Sequence, residues 1–214
     1  MIPDLSFIHR FVPGSSEGTL LLLHGTGGDE NQLLALGREL DPKATLLSPR
    51  GQVQENGSLR FFRRLAEGVF DMDDLEERTN DLADFTLAAA ERYTLNPARI
   101  VAVGYSNGAN IAASILLRRP KVLRTAILLR AMVPFMPETL PDLRGAQIWI
   151  GGGKQDAIIP RANTERLAEL LSGAGAEVTA RFFDAGHALT NTELVLAQRW
   201  LKERWPNDSL TNFG

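Results

Sequence analysis

The chain predicts an α/β fold with a mostly parallel central sheet and helices on both of its faces. Short apolar runs rich in branched residues alternate with longer segments whose apolar residues recur at helical spacing. The run 20–23 is apolar throughout, as is typical of a strand buried on both faces. Composition agrees, since 44% hydrophobic and 23% charged residues are ordinary for a globular protein of 214 residues.

The elements follow one another in a regular order. The first strand is an edge strand that turns at Pro13 and Gly14. The longest helix places Leu75, Leu82 and Phe85 on one face. The strands are predicted at 6–12, 19–24, 44–48, 100–104, 123–129, 147–151 and 178–183. The helices are predicted at 29–40, 71–93, 106–118, 161–171 and 192–205. We expect a single domain over 1–205 and a frayed tail over 206–214.

Composition excludes several classes of function. A net charge of −3 gives no reason to expect nucleic acid or an anionic membrane as a partner. Without cysteine the chain can form no disulfide, no thiolate metal site and no cysteine nucleophile. We see no signal peptide and no apolar run long enough to span a membrane. We therefore expect a cytoplasmic protein without a metal or other cofactor, and leave a homodimer open.

A candidate nucleophile stands between the strand at 100–104 and the helix that follows it. Residues 104–108 form a Gly-x-Ser-x-Gly motif, which in this context is typical of a nucleophile elbow. Larger side chains in place of the two glycines would collide with the sharp turn. The alternative is an ordinary strand-to-helix connection with a capping serine. The motif predicts Ser106 as the nucleophile.

A serine hydroxyl is a weak nucleophile and needs a base. The chain contains three histidines, His9, His24 and His187. His9 lies in the predicted edge strand, and His24 ends the second strand. Only His187 follows the serine with room for an acid between them, in the chain order Ser, acid, His. We predict His187 as the general base, because imidazole exchanges protons near neutral pH.

The acid that orients the base is expected at the same end of the sheet. Asp156 lies in the loop after the strand at 147–151. Asp184, which is much closer to His187 in sequence, is the competing carboxylate. Buried acid and base usually arrive from separate loops, which favours Asp156. An alternative role for Asp156 is helix capping ahead of Pro160.

An ester hydrolase also needs two N–H donors for the developing oxyanion. One is predicted to be the backbone of Asn107, directly after the nucleophile. The other should come from the glycine-rich turn after His24, where we favour Thr26 over Gly27. A plain tight turn is the alternative interpretation. The glycines of this turn do not match the spacing of a phosphate-binding loop.

Two segments are candidates for the walls of a substrate pocket. One is an apolar loop after the strand at 123–129, for which core packing is the alternative. The other, 60–70, interrupts the alternation of strands and helices, and forms either a rim over the site or a solvated connection. The proposed wall residues are Met132, Val133, Pro134, Phe135, Phe61 and Phe62. No insertion is long enough for a large lid domain, so we expect a fairly open site for small or soluble esters.

Four motifs follow one another along the chain in a characteristic order. They are His-Gly-Thr-Gly-Gly-Asp-Glu at 24–30, the elbow at 104–108, the Gly-x-x-Asp ending at Asp156, and Gly-His at 186–187. Together they resemble the phospholipase/carboxylesterase branch of α/β-hydrolases, which includes acyl-protein thioesterases. The resemblance covers 18–204 and is closest to the bacterial hydroquinone-inducible carboxylesterases, which are also similar at Arg-Phe-Phe 60–62 and in the acidic stretch 70–75.

The resemblance implies an α/β-hydrolase fold with Ser106 as nucleophile, His187 as base and Asp156 as its orienting acid. Thioesterases proper usually carry Gln where this chain has Asn107, so a lipidated protein is not the expected substrate. The sequence therefore predicts a serine carboxylic-ester hydrolase that forms an acyl-enzyme. The alternatives are a thioesterase or peptidase with the same triad, or a non-catalytic ligand-binding α/β-hydrolase.

Overall fold

The computed structural model describes residues 5–204. Its strands are β1 His9–Val12, β2 Thr19–Leu23, β3 Thr45–Pro49, β4 Val53–Glu55, β5 Ser58–Arg60, β6 Arg64–Ala66, β7 Val69–Phe70, β8 Ile100–Tyr105, β9 Thr125–Leu129, β10 Gln147–Gly153 and β11 Glu177–Phe183. Its helices are α1 Leu34–Leu40, α2 Met72–Arg92, α3 Asn107–Arg118, α4 Arg161–Gly173 and α5 Asn191–Arg204. The tail predicted at 206–214 lies outside the described residues.

Seven strands form the central sheet, in the order β1, β3, β2, β8, β9, β10, β11. β1 pairs antiparallel with β3, and all other neighbours are parallel. The carboxyl ends of the parallel strands therefore meet at one edge of the sheet, where open α/β folds bind ligands. This arrangement confirms the predicted fold class.

Helices cover both faces of the sheet, and β2 shows how the sequence divides them. Leu21 and Leu23 pack in one core with α2, α3 and α4, whereas Leu20 and Leu22 pack in a second core with α1 and α5. Side chains alternate between the faces of a strand, so a wholly apolar run supplies both cores. No helix within residues 5–204 is long and apolar enough to span a membrane.

The first helix begins later than the sequence predicts. The predicted helix at 29–40 starts instead at Leu34, after a series of turns. Asp29 Oδ1 accepts the backbone N–H of Asn31 at 2.8 Å, and Gln32 Oε1 accepts the N–H of Gly25 at 2.8 Å. These side chains bond to the loop backbone, which competes with helix formation. The result fixes the turn that follows His24.

The segment between β3 and α2 contains two short hairpins that the sequence analysis missed. β4 pairs with β5, and β6 pairs with β7, both antiparallel. Strands of two or three residues are too short to show an alternating pattern. A signal was present nevertheless, because Asn56 and Gly57 form the β4–β5 turn with φ values of 49° and 82°. Asn-Gly is the residue pair that two-residue hairpin turns favour.

Candidate active site

Ser106 occupies a strained turn between β8 and α3. Its backbone has φ 52° and ψ −113°, a left-handed conformation that costs a non-glycine residue about 1–3 kcal/mol. Its side chain makes no capping hydrogen bond to α3. The residue is therefore not a capping serine, and the turn presents its hydroxyl at the carboxyl edge of the sheet.

The two glycines of the motif are required by close packing. A Cβ atom on Gly104 would lie 2.6 Å from Cα of Ala109. A Cβ on Gly108 would lie 2.0 Å from the carbonyl oxygen of Leu23. Both distances are far inside van der Waals contact with backbone atoms, which cannot move aside. Glycine at these positions lets the first turn of α3 pack directly against β8 and β2.

The structure brings Ser106, His187 and Asp156 together in one chain of hydrogen bonds. His187 Nε2 lies 3.0 Å from Ser106 Oγ, and His187 Nδ1 lies 2.8 Å from Asp156 Oδ2. His187 comes from the loop between β11 and α5, and Asp156 from the loop between β10 and α4. The arrangement suits an imidazole whose Nδ1–H donates to the carboxylate while Nε2 accepts the serine hydroxyl proton.

Asp156 is held as an acceptor by its surroundings. Its side chain is fully buried, and Oδ1 accepts the backbone N–H groups of Ile158 and Ile159, both at 2.9 Å. Asp184, the competing carboxylate, has a side chain that is 80% exposed and pairs with Lys154 at 2.9 Å. The structure therefore brings Asp156, and not Asp184, to the imidazole.

His24 has a different environment from His187. It is completely buried, its Nδ1 donates to the carbonyl of Gly25 at 2.7 Å, and its Nε2 accepts the N–H of Gly51 at 2.9 Å. Burial lowers the pKa of His24, because desolvation disfavours the imidazolium. This neutral imidazole ties two loops together. His9, in β1, bonds instead to the hydroxyl of Tyr93 at 2.8 Å.

The lowered pKa of His24 makes a testable contribution to stability. Below its ordinary value of 6.5 the unfolded state binds a proton that the native state does not, so stability should fall with acidification. The limiting slope is about 1.4 kcal/mol per pH unit. Compared with His24→Asn, the wild type should therefore lose more unfolding free energy between pH 6.5 and 5, measured by denaturant titration. Above pH 7.5 the two curves should run parallel, and parallel curves throughout would contradict the assignment.

The predicted oxyanion donors differ in their availability. The N–H of Gly27 is already donated to the carbonyl of Leu59 at 2.9 Å. Thr26 and Asn107 line the cavity in front of Ser106, and within residues 5–204 neither backbone N–H has a protein acceptor. Of the two candidates in the glycine-rich turn, Thr26 is thus the one with a free donor.

Two arginines stabilise this turn. Arg60 Nη1 donates to the Thr26 hydroxyl at 2.6 Å. Arg50 Nη2 donates to Glu30 Oε1 at 2.7 Å, and this hydrogen bond lowers the pKa of Glu30 to about 2. A carboxylate that stays ionised keeps its partner across the whole neutral and mildly acidic range. The turn is therefore anchored at Thr26, between its glycines, and at Glu30, beyond them.

A cavity of about 300 Å³ opens in front of Ser106. The segment 60–70, predicted as either a rim or a solvated connection, is a rim, because several of its residues line the opening. The cavity is lined by Thr26, Arg60, Arg64, Glu67, Gly68, Phe70, Tyr105, Ser106, Asn107, Asn110, Met132, Ile158, Ile159 and His187. The charged lining residues Arg60, Arg64 and Glu67 come from the rim, and Met132 and the two isoleucines add apolar lining from other loops.

The proposed pocket walls need correction. Phe61 and Phe62 are buried, at 2% and 0% exposure, and they pack on His24 and Phe70 respectively instead of lining the cavity. The N–H of Phe61 donates to Asn107 Oδ1 at 2.7 Å, which turns this part of the segment inward. Both rings are part of the hydrophobic core beneath the site.

Most of the apolar loop after β9 packs in the core, which was the alternative to a pocket wall. Val133 and Phe135 pack against the core that contains α2, α3 and α4, and Pro134 is buried. Met132 alone of this group lines the cavity, with its N–H bonded to Asn110 Oδ1 at 2.9 Å. Sequence reasoning missed Ile158 and Ile159, although an apolar pair directly after the proposed acid was a usable signal.

A buried ion pair behind the site was also missed. Arg130 and Glu193 are both fully buried, with Arg130 Nη1 2.6 Å from Glu193 Oε1. Nothing in the sequence marks an arginine after an apolar strand as buried. Within the described part of the chain, no three His, Asp or Glu side chains are grouped so as to hold a metal ion.

Known proteins that resemble this chain include hydrolases and carboxylesterases. Residues 60–200 match the dienelactone hydrolase family. The chain is 50% identical over 195 residues to the protein MhqD of Bacillus subtilis (strain 168), covering 91% of this chain and 98% of that one. The crystal structure of the Bacillus cereus carboxylesterase has a TM-score of 0.91 at 44% identity, covering 94% and 95% of the two chains. Arabidopsis thaliana SOBER1 shares the fold, with a TM-score of 0.71 at 21% identity over 87% and 98%.

Proposed function

Because the chain belongs to the dienelactone hydrolase family and is a hydrolase of the esterase type, we propose that it is a serine carboxylic-ester hydrolase that forms an acyl-enzyme on Ser106. One observation carries the proposal. A continuous hydrogen-bond chain runs from Ser106 through His187 to the buried Asp156, at 3.0 Å and 2.8 Å, and it opens onto a cavity. This is the geometry that activates a serine hydroxyl.

In the acylation half-reaction, Ser106 Oγ attacks the ester carbonyl carbon while His187 Nε2 takes the hydroxyl proton. Asp156 accepts the Nδ1–H and stabilises the imidazolium. Negative charge develops on the carbonyl oxygen, where the N–H groups of Thr26 and Asn107 are available to donate. The tetrahedral intermediate then collapses, and the alcohol leaves with the proton returned from His187.

Deacylation repeats these steps with water. His187 Nε2 removes a proton from a water molecule, whose oxygen attacks the acyl carbon. The same two N–H groups receive the second oxyanion. Collapse breaks the bond to Ser106 Oγ, which regains its proton from the imidazolium, and the carboxylic acid is released.

The cavity favours a short acyl group. With about 300 Å³ of space, it lies at the small end of ligand pockets, and Met132, Ile158 and Ile159 give it apolar lining. On p-nitrophenyl esters, kcat/KM should be highest for acyl chains of about two to six carbons and should fall about tenfold or more by twelve. Met132→Ala should move this optimum to longer chains.

The matched control is Met136→Ala in the same loop, because the Met136 side chain is 55% exposed and lies outside the cavity lining. Its chain-length profile should equal that of wild type. A kcat/KM that rises up to twelve carbons would instead indicate a long-chain lipid substrate. Comparable rates on an ester and its matched amide would indicate a peptidase, and failure to turn over any ester would favour a binding protein.

A cytoplasmic location and the absence of nucleic-acid and membrane partners stay predictions from the sequence, and a homodimer stays one option beside a monomer. None of them enters the proposed chemistry. The proposal requires only a small ester, water and the residues of one chain.

A further inference from the structure

The buried Arg130 uses all of its hydrogen-bonding capacity around the loop that carries His187. A guanidinium has five N–H donors. Nε donates to the carbonyl of Gly186 at 3.1 Å, and Nη2 donates to that of Ala188 at 2.6 Å. Nη1 donates to the carbonyl of Gly151 at 3.3 Å. The remaining two donors bind Glu193 Oε1 and Oε2 at 2.6 Å and 2.8 Å.

The carbonyl of His187, between those of Gly186 and Ala188, also accepts a hydrogen bond from a side chain. The hydroxyl of Tyr105, next to the nucleophile, donates to the carbonyl of His187 at 3.0 Å. Three successive carbonyls of the base-bearing loop, those of 186, 187 and 188, are therefore held by two side chains, one from the last residue of β8 and one from the residue directly after β9. The orientation of a loop imidazole depends on the backbone that carries it, and here that backbone is fixed peptide by peptide.

Glu193 places the guanidinium and connects it to α5. Thr190 and Glu193 form a reciprocal cap at the start of this helix, with the N–H of Glu193 donating to Thr190 Oγ1 at 3.2 Å. Gly151 makes room for the pair, since a Cβ there would lie 2.2 Å from Glu193 Oε1. Arg130 itself adopts a left-handed backbone, with φ 58°, which is unfavourable for a long side chain.

Arg130 meets the acid through a long ion pair and not through a hydrogen bond. Its Nε lies 3.9 Å from Asp156 Oδ2, which is longer than a hydrogen bond, and Glu193 balances its charge. The guanidinium also lies outside the cavity lining, so it does not meet substrate. Its contacts concern the position of His187 relative to Ser106.

We propose that Arg130 is a positioning residue, which holds the His187 imidazole in line between Ser106 and Asp156 by fixing the carbonyls on both sides of it. The inference rests on the proposed function. A displacement of about 1 Å in a catalytic group can cost about 100-fold in rate. Loss of Arg130 should therefore lower kcat and leave KM for a small ester unchanged.

The first test is Arg130→Lys, which keeps a charge for Glu193. A lysine ammonium concentrates its three donors on one nitrogen and cannot reach both carbonyls and both carboxylate oxygens. On p-nitrophenyl acetate we expect kcat to fall about 10–100-fold, with KM within about twofold of wild type. The low-field proton resonance of His187 Nδ1–H, assigned by its loss in His187→Gln, should broaden or disappear.

The second variant guards against misfolding. The double substitution Arg130→Met with Glu193→Leu removes both buried charges together, so neither is left unpaired. It should fold, show the same loss of kcat at unchanged KM, and lose the same resonance. Arg144→Met is the matched control, because its bidentate pair with Asp142 is exposed and remote from the site. Its kinetics and resonance should match wild type.

A folded Arg130→Lys or double variant with wild-type kcat would overturn the inference. So would a loss of kcat with the His187 resonance unchanged, because the imidazole would then be in place. Ser106→Ala, run in the same assay, separates this outcome from failure of the proposed function. If Ser106→Ala is inactive and the Arg130 variants are fully active, only the positioning role is wrong.

Discussion

Replacing Ser106 with alanine is expected to lower kcat on an activated ester by about 10⁶-fold, which is the loss found when the nucleophile of such a triad is removed. The side chain of Ser106 makes one hydrogen bond, to His187 Nε2 at 3.0 Å. Alanine adopts the same strained backbone at about the same cost as serine. The thermal midpoint should therefore stay close to that of wild type, as measured by circular dichroism.

The matched control for this substitution is Ser172→Ala. Ser172 is exposed at the end of α4, and its substitution should leave kcat and KM unchanged. Retention of even a tenth of wild-type kcat in a purified, folded Ser106→Ala protein would refute the assignment of the nucleophile. Trace wild-type contamination is excluded by titrating active sites with a fluorophosphonate.

Asp156→Asn should lower kcat by about 10⁴-fold, and the structure explains why. Asp156 Oδ1 accepts two backbone N–H groups, from Ile158 and Ile159, so the carbonyl oxygen of an asparagine would be held on that side. Its NH₂ group would then face His187 Nδ1. The imidazole would have to accept at Nδ1 and carry its proton on Nε2, which leaves no lone pair for the Ser106 hydroxyl.

Asp184→Asn is the matched comparison. It breaks only the ion pair with Lys154. The Asp184 side chain is 80% exposed and that of Lys154 is 43% exposed, and such exposed pairs contribute little to stability. We expect kcat within about twofold of wild type, since the pair lies outside the hydrogen-bond chain. Both variants should be measured on one activated ester, with circular dichroism as the check of folding. A larger loss of kcat in Asp184→Asn, or equal losses in both variants, would show that Asp156 is not the sole orienting acid.

Much of the fold was predictable from local pattern. Wholly apolar runs marked the parallel strands, and the Gly-x-Ser-x-Gly motif located the elbow whose glycines pack against backbone. The start of α1 was predicted too early. Asp29 and Gln32 are compatible with a helical pattern, but their side chains bond to the loop backbone instead. The two hairpins before α2 were missed because their strands are too short to show a period.

The pocket was harder to predict, because it depends on which way a side chain faces in a loop. Phe61 and Phe62 are residue types that often line apolar pockets, but here both are buried in the core. The backbone N–H of Phe61 is bonded to Asn107 Oδ1. Arg130 could not be found, because arginines are mostly exposed and its partner Glu193 lies far away in sequence. Long-range pairing of this kind leaves no local pattern.

The most direct test of the proposed mechanism is the mass of the enzyme during turnover. Wild-type protein mixed with p-nitrophenyl acetate should be quenched in acid within one turnover and analysed by intact mass, followed by peptide mapping. We predict one added acetyl group, on the peptide that contains Ser106 and absent in Ser106→Ala. An adduct on a different peptide, or an adduct that persists in Ser106→Ala, would contradict an acyl-enzyme at this serine.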